Sequence, residues 1–532
     1  MTAVALFELI LTLLGAALCL SVAAGRLGFP PAAALVIGGM ALAVAPGLPA
    51  FDLDPDLILV LFLPPLLLES AYATVWRDFR AWLGPIVSLS FGAVAFTTLV
   101  VGLCARAAMP SLPWAACFAL GAIVSPPDAV AAKAVLARVA LPRRLVTVLE
   151  GESLVNDASG LMLYRFAVAA ALTGSFSVFA SAASLAWLAA AGVALGLALG
   201  SCVNAAIRWF DEANAATVLS FLAAYVAYIA AERVHASGVL AVVACGLMIG
   251  GREHETFDAH VRRHATAVWT FVAFVLEALV FVLIGLALRG VLARMGGSLD
   301  AFEAALPLAL VVIAACVVAR LFWLYMAVYL PLLMLRKTHA PRPRAVVPLI
   351  VGWAGMRGVV TLAAALALPT DFPGHDPILV ASFAVILFTV LVQGTTLGPL
   401  IRAFRLDPPG EPSDGQLDEP MARVVMNQAG LAALEGMSDE GSDLARHTRL
   451  LEEYRHRVRA TTRVRDERGA VDAERAAHFA AALAAVRAGR DALIALHREN
   501  RIHASVLRTL EIELDQEQIR LEHLDGRTKT ND

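Results

Sequence analysis

Charge is scarce in this chain, and lysine is the scarcest charged residue. Charged residues are 16% of 532, aromatic residues 7%, and lysine stands only at Lys133, Lys337 and Lys529. With a hydrophobic fraction of 59% and a mean hydropathy of +0.72, that scarcity excludes an ordinary soluble globular protein. The net charge of -3 selects no partner. Cysteine is also sparse. Cys19, Cys104, Cys117, Cys202, Cys245 and Cys316 all fall in apolar stretches and none is closely paired. No disulfide or zinc framework is implied, and each reads as a small buried hydrophobe.

What the chain does have is long apolar runs. Thirteen segments approach or reach spanning length, at about 4–25, 30–46, 56–73, 82–105, 113–137, 145–172, 178–207, 213–232, 236–250, 264–289, 303–334, 345–369 and 376–401. The second and ninth are short for about 30 Å of hydrocarbon. The first has no basic leader or small-residue cleavage site, so it reads as a retained span. Placing the N-terminus outside puts Arg77, Arg80, Arg138, Arg143, Arg144, Arg262, Arg263, Arg336, Lys337 and Arg342 in inside loops. Only Arg106, Arg233, Arg289 and Arg294 then lie outside. That asymmetry predicts a multi-pass membrane protein, N-terminus outside, with a cytoplasmic C-terminal tail.

Polar residues inside these runs are few and clustered. In L-E-G-E-S-L-V-N-D-A-S-G, Ser153, Asn156 and Asp157 share one helical face and Glu152 lies beside it. Asp157 falls near mid-membrane, where an ionisable group costs about 2.5–3.5 kcal/mol on the insertion scale, so an ion site is the default reading. Two spans carry helix breakers. The fifth contains A-I-V-S-P-P-D-A, where Pro126 and Pro127 strip partners from carbonyls near Ala122 and Ile123. The twelfth contains V-G-W-A-G-M-R-G-V-V-T, with Gly352, Gly355 and Gly358 around Arg357. Loosened backbone at this depth is tolerated where it is buried in protein or lines a cavity. Breaks in spans seven apart suit two inverted six-helix repeats joined by a seventh helix, with the broken helices meeting at mid-membrane.

Asp128, Asp157, Ser153, Asn156 and the backbone at Ser125–Pro127 offer hard oxygens and one or two negative charges. That set suits a partly dehydrated monovalent cation or a proton, and neither zinc nor copper. Cation and proton compete for the same oxygens, which couples their movements without ATP. Arg357 needs a buried counter-charge, and Glu152 is the expected partner, as a structural ion pair or with a proton-carrying role. Glu69, after Pro64-Pro65, lines a cavity or pairs with a neighbouring helix; Glu277 and Arg320 read mainly as structural, Glu277 with cavity lining as its other role. Lys133 and Arg165 sit toward helix ends and snorkel.

From about Ala403 the chain turns polar. A Pro/Gly/Asp-rich linker (407–420) leads to helical stretches near 420–436, 441–460 and 470–524, with opposite charges interspersed. This predicts domains at 1–402 and 403–532, the second a small helical domain or dimerising bundle and not a nucleic-acid arm.

G-E-S-L-V-N-D, S-P-P-D-A-V-A and G-W-A-G-M-R-G-V-V-T-L-A-A-A-L-A-L-P together resemble the monovalent cation/proton antiporter family of Na+/H+ exchangers, over about residues 5–405. The resemblance implies that Asp157 carries cation and proton beside Asn156, and that Ser153 and Asp128 contribute Na+ ligands. It also implies that Glu152 and Arg357 form a buried ion pair and that Glu69 matches an acidic position after a Pro-Pro. Where the family's usual pattern is S-P-T-D-P, Pro127 keeps the backbone carbonyl and loses the hydroxyl, which bears on Na+ against K+ or Li+ preference. The Asn-Asp pair resembles the electroneutral branch, and the tail's E-N-R-I-H-A-S-V-L-R-T-L-E-I-E-L-D resembles a bacterial subgroup. The resemblance thus implies a Na+/H+ antiporter of a bacterial inner membrane serving pH and sodium homeostasis, a homodimer among membrane lipids, with no cofactor beyond the transported ions. The alternative keeps the mechanism with K+ as the main cation. An intramembrane hydrolase lacks a His beside Ser153 or Asp157, and a channel lacks charged pore rings.

Overall fold

The computed structural model describes residues 3–45, 55–128, 143–173, 178–210, 212–253, 257–294, 299–334, 344–369, 371–404, 419–439, 448–466, 472–499, 501–502 and 504–524. Among the described residues the regular elements are all helical. The chain divides into two compact units, Met1–Pro409 and Gly410–Asp532.

In the first unit every apolar segment holds a helix: α1 (Ala3–Arg26), α2 (Pro31–Val44), α3 (Pro55–Ala73), α4 (Leu83–Ala108), α5 (Trp114–Val124), α6 (Arg143–Thr173), α7 (Val178–Phe210), α8 (Ala213–Arg233), α9 (Gly238–Gly251), α10 (Ala259–Arg294), α11 (Leu299–Met334), the pair α12a (Val346–Trp353) and α12b (Val359–Leu366), and α13 (His375–Phe404). Stretches of α4, α7, α8, α10, α11 and α13 are long and apolar enough to cross a membrane. The helix α6 is as long but carries Glu150, Glu152, Asp157 and Arg165, which lower its hydropathy.

Local chemistry sets several of the ends. Pro31 opens α2, where its missing N–H is no loss. Ser237 caps α9 by accepting from the Leu240 amide at 3.3 Å. Helices α2 and α10 approach closely because Gly39 and Gly285 face each other's backbones.

The two Pro-Pro pairs have opposite consequences. Pro64 and Pro65 lie inside a continuous α3, and the Leu61 carbonyl, four residues before Pro65, accepts from the Tyr225 hydroxyl of α8 at 3.1 Å. A neighbouring helix thus supplies the bond that proline removed. Pro126 and Pro127 instead follow the end of α5 at Val124. Residues 129–142, the expected remainder of the fifth span with Lys133, lie outside the described residues. In the twelfth segment the helix stops at Trp353 and resumes at Val359. The two breaks meet: the Asp128 amide donates to Met356 O at 2.6 Å, and Arg357 Nε donates to Val124 O at 2.9 Å.

The second unit contains α14 (Glu419–Asp439), α15 (Thr448–Asp466), α16 (Asp472–Arg498) and α17 (Ala504–Leu524). The linker residues 407–418 lie outside the described residues. Helices α14 and α15 pair through Arg455 and Glu435 at 2.9 Å, and α16 and α17 through Arg490 and Asp515 at 2.6 Å. The expected single stretch 470–524 is therefore two helices. The Arg501 amide reaches back five residues to Leu496 O at 2.9 Å, a bond that ends a helix, and the chain folds back so that Leu483 and Val486 are buried.

Candidate cation site

Three elements build the site: the broken end of α5, the middle of α6, and the gap between α12a and α12b. An intact fifth helix would carry its ladder past Ala122, Ile123 and Val124, but residues 126 and 127 have no N–H to give. The Ser125 hydroxyl donates to Ala122 O at 3.3 Å. Val124 O receives Arg357 Nε at 2.9 Å and the Cys316 thiol at 3.3 Å. Across the gap, Arg357 Nη1 donates to Gly355 O, and the Arg357 amide donates to the Thr389 hydroxyl at 3.0 Å. Each loosened end is stitched by groups from elsewhere in the fold, as buried polar backbone requires.

Pro127, Asp128, Asn156 and Asp157 come together at this crossing. Asn156 is fully buried, and its Nδ2 donates to Pro127 O at 2.5 Å. Its Oδ1 is buried with no partner among the described residues. Asp157, the next residue on α6, is 6% exposed. The half-buried Asp128 carboxylate lies against Gly358, where a Cβ would overlap it. Glycine there lets the carboxylate reach the first turn of α12b, whose N-terminal partial positive charge favours an anion. Ser153 is half-buried one turn before Asp157 on α6.

The expected Glu152–Arg357 ion pair is corrected. Glu152, 1% exposed, is held bidentately by Arg320 of α11, with Nη1–Oε1 at 2.6 Å and Nη2–Oε2 at 2.9 Å. Arg357 is equally buried, but its guanidinium serves Val124 O, Gly355 O and Cys316 Sγ, the last at 2.8 Å. The physical reason lies in the breaks, since Arg357 sits where two helix ends leave carbonyls in need of donors. Glu69 and Glu277 are half-buried on α3 and α10, Glu69 accepting from Ser70 Oγ at 3.4 Å. Arg165 pairs with Glu232 at 3.0 Å toward the surface.

Sequence reasoning missed two participants, Cys316 and Thr389, and gave Glu152 the wrong arginine. Arg320, read as structural, carried the same signal as Arg357, a charge in mid-span. Cys316 lies four residues before Arg320, on the same helical face, a signal that composition alone discards. Thr389, an isolated hydroxyl in the last span, offered none.

Comparison with known proteins identifies the family. Residues 10–403 match the family described as sodium/hydrogen exchanger, transmembrane. The sodium, potassium, lithium and rubidium/H+ antiporter of Bacillus pumilus is 30% identical over 81% of this chain and 66% of its own length. The low-affinity Na+/H+ antiporter NhaS1 of Synechocystis is 32% identical over 77% of this chain and 76% of its own. The sodium proton antiporter MjNhaP1 of Methanocaldococcus jannaschii shares the fold, with a TM-score of 0.59 at 20% identity over 78% of this chain and all of that one. A helical membrane protein in which two interrupted segments cross beside a buried Asn-Asp pair, this chain belongs to the transmembrane sodium/hydrogen exchanger family.

Proposed function

We propose that the protein is a secondary antiporter that exchanges Na+ for H+ across the cell membrane, with Asp157 carrying the cation and the proton in turn. The observation that carries the reading is the burial of Asp157 beside Asn156 at the crossing of the two helix breaks, where Asn156 Nδ2 donates to Pro127 O and the Asp128 amide donates to Met356 O. Asp157 and Asp128 both belong to this crossing, and two carboxylates so placed repel each other, a repulsion that a cation or a proton relieves. The two compete for Asp157, so neither is bound without displacing the other. Asp128, Pro127 O, Ser153 and the unpartnered Asn156 Oδ1 supply further oxygens for a cation that has shed water. Sodium is the main cation because the names of the relatives cited all include it; Li+ and K+ share the site more weakly.

The exchange is electroneutral. Asn156 stays neutral, and Asp157 alone trades its proton for Na+ while Asp128 keeps one state throughout. A protonated Asp157 and an ionised Asp157 paired with Na+ carry the same charge, so a cycle moves no net charge. Glu152 and Arg320 lock α6 to α11 and stay outside the ion path; Glu69 and Glu277 line the approaches. The protein works as a homodimer in a bacterial inner membrane, N-terminus outside. The first unit performs exchange, and the second is a cytoplasmic regulatory element.

Everted vesicles containing a pH-sensitive dye test the reading. Adding Na+ is expected to discharge a preformed pH gradient, Li+ and K+ doing so less effectively, and membrane potential is expected to leave the rate unchanged. Asp157→Asn, inserted at normal yield, is expected to give no response. A normal response from that variant would refute the assignment.

A further inference from the structure

Helix α4 contains a π-helical turn, Ser88–Ala93, flanked by ordinary helix on both sides. Such turns space their backbone bonds one residue wider than an α-turn and recur at functional sites. This one packs on the back of α6. Ser90 is fully buried, and its hydroxyl donates to Glu152 O at 3.0 Å. The Ser159 hydroxyl, 3% exposed, donates in return to Ser90 O and also lies 2.8 Å from Asn156 O. One residue of α4 therefore grips α6 at two points two turns apart. Ser153, Asn156 and Asp157 all lie between those points.

The other side of the same turn faces α11. Gly92 leaves room for the Trp323 indole, where a Cβ would collide with the ring. Trp323 lies one turn beyond Arg320, which holds the Glu152 carboxylate. Residue 152 is thus fixed twice, by its backbone carbonyl from α4 and by its side chain from α11. A helix held at both its main chain and its side chain can neither slide nor rotate against its neighbours without breaking a buried bond.

We propose that Ser90 is a positioning residue for cation binding: by donating its hydroxyl to Glu152 O and accepting the Ser159 hydroxyl on its own carbonyl it sets the depth and rotation of Asp157 relative to Asp128 and Pro127. Ser90 touches no ion. It acts through α6, and Ser159 is its counterpart on that helix. The proposal rests on the exchange reading above, since it takes Asp157 as the cation's carboxylate.

The test uses full-length protein in everted vesicles, with the pH dye read against Na+ concentration at matched amounts of inserted protein. The wild-type response establishes exchange; without it, the functional reading fails before the variants are compared. Ser90→Ala is expected to raise the half-saturating Na+ concentration roughly three- to tenfold, the size of one lost buried hydrogen bond. The maximal rate should change little, and the pH profile should move because proton and cation share Asp157. Ser90→Thr, which keeps the hydroxyl, should restore half-saturation toward the wild-type value. Ser159→Ala should act in the same direction, and the double variant should fall short of the product of the two single effects, because both break one clasp. Should Ser90→Ala fail to insert, Ser159→Ala tests the clasp from the other helix. Wild-type half-saturation and pH profile in these variants overturns the proposal. So does reduced insertion in both variants with unchanged kinetics in the protein that remains, since that assigns the serines to folding alone.

Discussion

Arg320→Met is expected to be the most destabilising single charge removal in the membrane unit. Arg320 is 3% exposed and Glu152 1%, and the two share a bidentate contact at 2.6 and 2.9 Å. Removing the cation leaves a buried carboxylate without its bidentate partner, which costs about 3–5 kcal/mol. Removing both charges removes that penalty, and a well-filled apolar replacement of a buried pair is often neutral. The double variant Glu152→Leu/Arg320→Met should therefore recover most of the loss. Glu152→Leu/Arg357→Met should not, because Arg357 donates to Val124 O, Gly355 O and Cys316 and leaves those groups unpaired when lost. The assay is the fraction of detergent-solubilised protein that remains monodisperse after heating, compared across the two cycles. Recovery with Arg357 and none with Arg320 would refute the pairing described here.

Three further outcomes follow from the site. Gly358→Ala places a methyl group on the Asp128 carboxylate and should raise the half-saturating Na+ concentration ~10-fold or more, equivalent to ~1.4 kcal/mol; normal cation dependence would show that the carboxylate does not need that approach. Asp128→Asn should cost most of the exchange, chiefly by weakening cation binding, and an unchanged half-saturation would remove Asp128 from the cation's ligands. Truncation after Pro408 should leave exchange in place while shifting its pH dependence or expression level; complete loss in a protein inserted at normal yield would make the second unit part of the transport cycle.

How far the sequence discloses this site depends on which physical constraint each residue answers to. Asp157, Asn156, Asp128 and the paired prolines violate the rules for a membrane helix where they stand, so the sequence alone exposes them. The meeting of the two breaks is also legible, because backbone loosened at mid-membrane must be covered by something, and two such stretches cover each other. Partner choice is a different kind of fact. Glu152 had two buried arginines available, and nothing in their spacing distinguishes Arg320 from Arg357. The decision was made by carbonyls: Val124 O and Gly355 O lie at helix ends and require donors, which draws Arg357 to them and leaves Glu152 to α11. Leu61 O makes the same point in reverse, since Tyr225 repairs the Pro-Pro in α3 and no break appears where the sequence pattern allowed one. Hydroxyls and thiols are the least legible of all. Ser90, Thr389 and Cys316 are small enough to pass for packing residues, and only the third dimension shows that each meets a polar group which α5, α6 or the twelfth segment leaves exposed. A sequence marks the places where a fold departs from regular structure. The residues that compensate for the departure are distant in the chain and ordinary in type, so they become visible only when the unmet hydrogen bonds of the broken elements are traced to their donors.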